Sequence, residues 1–176
     1  MASTLLAQSI PVIDPNGVVN GATGRSSSSI PVVSRGAMVT IYGTNLSSTV
    51  ASSNSTRFPT QLGGTQVFFG NLAAPLLYVS PNQVNVQVPF EIPDVSTTDL
   101  IVQSGTNFSN PLKVTILAQD PGICGVFDTS FRPIGVSNPI VPGQTFVILA
   151  TGLGVVAPGV PSGQAGPSVF LLPIRP

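Results

Sequence analysis

From Gln83 to Val88 the chain reads Gln-Val-Asn-Val-Gln-Val, three valines on one side of an extended backbone and three amides on the other. That period of two is the signature of a strand with one face buried and the other towards solvent or a partner. The same alternation predicts strands over Ala37 to Tyr42, Thr65 to Phe69, Leu76 to Val79, Leu100 to Gln103 and Leu112 to Leu117, each rich in β-branched or aromatic residues. Eighteen glycines and eighteen prolines are spread evenly, which leaves no window for a helix of normal length.

Short strands at intervals of roughly 8–12 residues, joined by turn residues, predict a sandwich of two antiparallel sheets. Gly43 and Asn45 supply a turn that tolerates left-handed backbone, and Ser80-Pro81-Asn82 a tight reversal. Residues 44–61 read as one long loop of Ser, Thr and Asn. Asp120-Pro121-Gly122 then punctuates the chain, ahead of strands predicted over Gly125 to Phe127, Ile134 to Val136, Thr145 to Ala150 and Val169 to Leu172. The chain therefore divides into an extended segment (1–15), a complete β-sandwich (16–119) and a partial second β module (120–176).

Hydrophobic residues make up 42% of the 176, enough for a core, whereas charged residues make up 7% against about 25% in ordinary soluble proteins. Six basic and six acidic side chains cancel. No basic stripe can follow phosphates, so nucleic acid is not expected as a partner, and no run is long enough to be a membrane helix. A weakly charged surface also opposes self-association poorly, which suits a subunit that packs against its copies. Met1 to Ile13 lacks the basic start and the length of a signal peptide. Cys124 is the only cysteine, so no intrachain disulfide forms. A buried, inert thiol is expected there in preference to a cross-chain disulfide.

The stretches SRGAMVTIYGTNL (34–46) and LGGTQVFFGNLAAPLLYVSPNQVNVQVPFEIP (62–93) together resemble the IPT/TIG immunoglobulin-like modules. The resemblance is closer still to a C-terminal module of large secreted proteins of soil bacteria. It continues through DLIVQSGTNFSNPLKVTILAQDPGI (99–123) and PGQTFVILATGLGVVAPGVPSGQAGP (142–167). It implies an all-β, immunoglobulin-like antiparallel sandwich and an extracellular or cell-surface setting, and no chemistry of its own. Set against that family, the second module is short of strands by Pro176, so that another segment is expected to complete its sheet.

Candidate chemistry is thin. The chain has no histidine, which removes the commonest general base and metal ligand and every triad built on one. Glu91 and Asp94 could form a glycosidase-type pair, but they flank Pro93 in a predicted loop and read as solvated turn carboxylates. Gly152-Leu153-Gly154-Val155-Val156-Ala157 matches a loose dinucleotide fingerprint, yet Pro158 and Pro161 deny the helix that would face a pyrophosphate, so it reads as a strand-end turn. Asp14-Pro15-Asn16-Gly17 is a turn signal with no second carboxylate to hold calcium. Sequons at Asn45, Asn54 and Asn107 are about as many as chance supplies. No enzyme activity, cofactor or metal is expected.

The apolar residues Leu5, Leu6, Ile10, Val12 and Ile13 precede the first module and can be extended. They either pair as an edge strand within their own chain or add to a neighbouring subunit. The function expected is that of a structural subunit of an extracellular filament, sheath or surface layer, joined head-to-tail to its own copies by strand addition. The alternative is a non-catalytic binding or adhesion module of a larger secreted protein, its partner a surface protein or a glycan. With no Trp and two Tyr, aromatic platforms for sugar are poorly supplied.

Overall fold

The computed structural model describes residues 9–26, 30–93 and 96–166, and it is all strand and turn over that span. In chain order the strands are β1 (Val12–Asn20), β2 (Val32–Ser34), β3 (Met38–Thr44), β4 (Ala51–Ser52), β5 (Thr65–Phe69), β6 (Leu72–Ala73) and β7 (Leu76–Ser80). They continue with β8 (Gln83–Gln87), β9 (Thr97–Ser104), β10 (Asn107–Phe108), β11 (Leu112–Leu117), β12 (Gly122–Asp128) and β13 (Phe146–Thr151).

One sheet has the order β1-β3-β8-β7-β4, and the facing sheet β2-β11-β9-β5-β6, with β10 beside β9. Pairing is antiparallel throughout except between β2 and β11. β8 is central. Val86 sits between Val39 and Leu76, and Val84 between Ile41 and Val79. Val84, Val86 and Val88 are fully buried, as their alternation requires, against Val67, Phe69, Leu100 and Val102 of the other sheet. Gln83, Asn85 and Gln87 point the other way and are half-buried. The immunoglobulin-like sandwich read from the sequence is the fold of the chain.

The turns follow their residues. Pro81 and Asn82 close the β7–β8 reversal, where Ser80 Oγ donates to Gln83 O and accepts from Gln83 N. Asn45, straight after β3, has φ of 57°. The run 44–61, expected as one loop, contains the two-residue strand β4 on β7.

The N-terminal strand begins inside the segment set apart by sequence. β1 starts at Val12 and pairs with β3 of its own chain, Val12 opposite Thr44 and Ile13 opposite Gly43. Asp14-Pro15-Asn16-Gly17 forms the irregularity between Ile13 and Val18. One sequence expectation needs correction: Ile134 to Val136 is no strand, and only isolated bridges, Phe127 to Pro133 and Gly135 to Asn138, occur there. Pro133 has no N–H to offer a ladder, and the Asp128 carboxylate curls residues 130–132 around itself. Val169 to Leu172 lies outside the described residues.

Candidate assembly surface

After β11 the chain leaves the sandwich at Asp120 and forms the hairpin β12–β13, which joins neither sheet of the sandwich among the described residues. The root of the hairpin is fastened to the sandwich. Asn20 Nδ2 donates to Asp120 O (2.9 Å) and to Asp120 Oδ2 (3.2 Å), and Met38 N donates to Thr151 Oγ1 (2.7 Å). Beyond β13 the chain returns to the sandwich. Ser162 N and Oγ donate to the Glu91 carboxylate at 2.9 and 2.5 Å, Phe90 N donates to Ser162 Oγ at 2.7 Å, and Gly163 N donates to Gln87 Oε1 at 2.7 Å. Partial burial works to raise the Glu91 pKa, and the Ser162 hydrogen bonds outweigh it, so the carboxyl sits below its ordinary value.

Away from its root the hairpin is apolar and open. Ile123 is 58% exposed, Phe146 41%, Ile148 49% and Leu149 44%, and β13 carries no charged residue. The outer side of β12 is partly covered by the returning chain, where Ile134 N donates to Val126 O and Asp128 N to Arg132 O, both 2.9 Å. The outer side of β13 has no such cover among the described residues. An uncharged, unpaired edge of this kind is a template for another strand.

The far end of the hairpin is built on Asp128. Its Oδ1 accepts from Ser130 N (2.9 Å) and Arg132 N (3.0 Å), and its Oδ2 from Arg132 Nε (2.8 Å) and Asn138 Nδ2 (3.2 Å). Led by the Arg132 backbone bond, these hold the carboxyl below its usual pKa. An open cleft of about 370 Å³ lies beside them, lined by Arg132, Asn138, Ile140, Gln144 and Phe146 among others.

The residues singled out by sequence are dispersed. Leu5 and Leu6 lie outside the described residues. Ile10 is 63% exposed, and its carbonyl accepts from Asn45 Nδ2 at 3.3 Å. Val12 is exposed, and Ile13 packs partly against the core. Cys124, expected to be buried, is exposed. It is the extra residue of a bulge between Ile123 and Gly125, so it has no cross-strand partner to cover it. Among the sequons, Asn54 is exposed, Asn45 holds its left-handed turn, and Asn107 lies in β10. Asp94 lies outside the described residues. Gly152 and Gly154 have φ of 76° and 88° and form a turn with no helix after it. Among the described residues no group of three His, Cys, Asp or Glu could hold a metal, and no helix is long and apolar enough to cross a membrane. The exposure of Phe146, Ile148 and Leu149 was missed from sequence, because alternation reports where a strand is and not whether a second layer covers it.

Residues 24–116 match the IPT/TIG domain as a family. The chain belongs to the IPT/TIG domain family. The matched span covers β2 to nearly the end of β11, the bulk of the sandwich, and IPT/TIG domains are generally non-catalytic immunoglobulin-like modules that bind or build. No curated protein matches the chain. Among solved structures it is similar to the crystal structure of Gamma-CGTase from Alkalophilic Bacillus clarkii, with 17% identity and a TM-score of 0.39. That match covers 72% of this chain and 15% of the other, so the IPT/TIG chain spans a small part of the enzyme's length.

Proposed function

We propose that this IPT/TIG chain is a non-catalytic structural subunit of an extracellular or cell-surface assembly, joined to its own copies by strand addition. The observation that carries the reading is the β12–β13 hairpin, apolar on both faces and, among the described residues, unpaired along the outer side of β13. The donor is the N-terminal segment ahead of β1, which holds Leu5, Leu6 and Ile10; Val12 and Ile13 serve instead as its root in β1. Burying each large apolar side chain at such a joint is worth about 1.5–3 kcal/mol before ordering costs. A head-to-tail joint whose rotation does not close yields a filament. The extracellular setting rests on the resemblance of the GTNL, YVSPNQVNVQVP and ATGLG motifs to modules of secreted proteins.

Sedimentation and electron microscopy of the full chain, beside a chain lacking residues 1–9, test this. The full chain is expected to form regular polymers and the shortened chain to stay monomeric with an unchanged melting temperature. A full chain that remains monomeric at high concentration overturns the reading. In that case the cleft beside Asp128 and Arg132 favours the second reading, a binding or adhesion module for a surface protein or glycan.

A further inference from the structure

The hairpin β12–β13 repeats the pairing of the hairpin β1–β3, with a shorter bulge on its first strand. In the first, Val12 faces Thr44 and Ile13 faces Gly43; an irregularity follows, and then Val18 faces Ile41, Val19 faces Thr40 and Asn20 faces Val39. In the second, Gly122 faces Thr151 and Ile123 faces Ala150; again an irregularity follows, and then Gly125 faces Leu149, Val126 faces Ile148, Phe127 faces Val147 and Asp128 faces Phe146. The partners on β3 and β13 keep one constant offset along the chain, so RGAMVTIYGTNL (35–46) aligns with PGQTFVILATGL (142–153) without a gap.

Backbone and side chains agree with that alignment. Gly36 and Gly143 share a positive φ, 75° and 84°, and so do Asn45 and Gly152, 57° and 76°. Asn20 Oδ1 accepts from Ala22 N (3.0 Å) and Thr23 N (3.3 Å); its counterpart Asp128 does the same for Ser130 N and Arg132 N. What differs is cover. Val39, Ile41 and Leu46 are 2%, 0% and 0% exposed, whereas their counterparts Phe146, Ile148 and Leu153 are 41%, 49% and 62% exposed. In the sandwich, β8 lies along the outer side of β3, with Val86 opposite Val39 and Val84 opposite Ile41. On β13 no strand takes the corresponding place among the described residues.

We propose that the outer side of β13 accepts, antiparallel and in β8's place, the N-terminal segment of a second copy of this chain. The proposal rests on the strand-addition reading and names its acceptor. The donor's chemistry fits: Met1 to Ile13 carries no charged side chain, like β13 and like β8 itself, and Leu6 and Ile10 fall on one side of an extended strand. Its length fits as well. The nine residues ahead of Ile10 reach about 30 Å when extended, against about 20 Å for the six residues of β13, leaving chain for a link. A symmetric pairing of two β13 edges is the other occupant of this edge, and it leaves the N-terminal segment without a part in the joint.

The test uses a synthetic peptide of residues 1–11 and the full chain lacking residues 1–9, whose β1 is intact. The peptide is expected to bind the shortened chain one to one. Ile148→Lys should weaken that binding at least tenfold, while Leu149→Lys, at the counterpart of the exposed Tyr42, should leave it within about twofold. Melting temperatures of both variants report that the sandwich is unharmed. If the peptide binds Ile148→Lys as tightly as the parent, the acceptor lies elsewhere; the strand-addition reading then stands and this inference falls. If the shortened chain still dimerises and Ile148→Lys stops it, two β13 edges pair with each other, which overturns both. A peptide that binds neither chain also overturns the inference.

Discussion

Asn20, buried at the end of β1, and Asp120, where the chain leaves the sandwich, form the joint between the two parts of this molecule. The Asn20 amide gives its N–H groups to the Asp120 backbone and side chain and takes the N–H groups of Ala22 and Thr23 on its oxygen. One side chain thus shapes the turn after β1 and anchors the root of the hairpin. Asn20→Ala should lower stability by about 1–3 kcal/mol, since it leaves buried backbone groups unpaired. Thermal melting gives the cost, and faster amide exchange at the hairpin root would locate it. A variant that melts and exchanges like the parent would remove this joint from the account.

Val86→Asp should abolish the cooperative unfolding transition. Val86 is fully buried at the centre of β8, with Val39 on one side and Leu76 on the other, and an unpaired carboxylate there costs more than about 4 kcal/mol. Asn85→Asp, one residue away on the opposite face, should shift the melting temperature by only a few degrees. If the two variants behave alike, the register of β8 has been misread, because a slip of one residue exchanges their faces.

Legibility from sequence followed packing. Strands such as β5, β7, β8 and β11 were readable within a residue because both their faces are decided, one by a core and one by water or a neighbour. Ile134 to Val136 misled because its alternation is local, while the Asp128 carboxylate organises that stretch from six or more residues away. Cys124 misled because thiols are usually buried, and a bulge was not visible in the spacing. The duplicated hairpin was in principle legible: RGAMVTIYGTNL and PGQTFVILATGL share spacing and end on the same left-handed position. Asn45 in one copy and Gly152 in the other hide the match by letter, although both residue types serve a positive φ.

Gly152→Ala should destabilise the return from β13 to the sandwich by about 1–3 kcal/mol. Its φ is 76°, and a Cβ would run into the Asp120 carbonyl. The Gly152 carbonyl also accepts from Asp120 N at 2.8 Å and from Ser34 Oγ at 3.3 Å, so the backbone cannot swing away without losing both. Gly159→Ala, where a Cβ would meet nothing within 4 Å, is the matched control and should be neutral. Equal melting temperatures for the two variants would contradict this account of the turn.

The contact between Glu91 and Ser162 should make the return strand sensitive to acid. Glu91 is the charged partner of two hydrogen bonds from Ser162, and these lower its pKa in the folded chain against the opposing effect of partial burial. A carboxyl with a lowered folded pKa contributes stability that is fully present above its unfolded value, about 4.3, and is lost as pH falls through the lower folded value. The side chain is exposed, so solvent screening keeps the contribution small, on the order of 1 kcal/mol or less. Glu91→Gln should therefore melt slightly below the parent at pH 7, and the gap should close as pH drops below about 4. Limited proteolysis between Thr151 and Ser162 should quicken in acid for the parent while the variant starts fast and changes little. A gap that widens towards low pH would mean that Glu91 stabilises the fold in its protonated form, and the role assigned to Ser162 would be wrong.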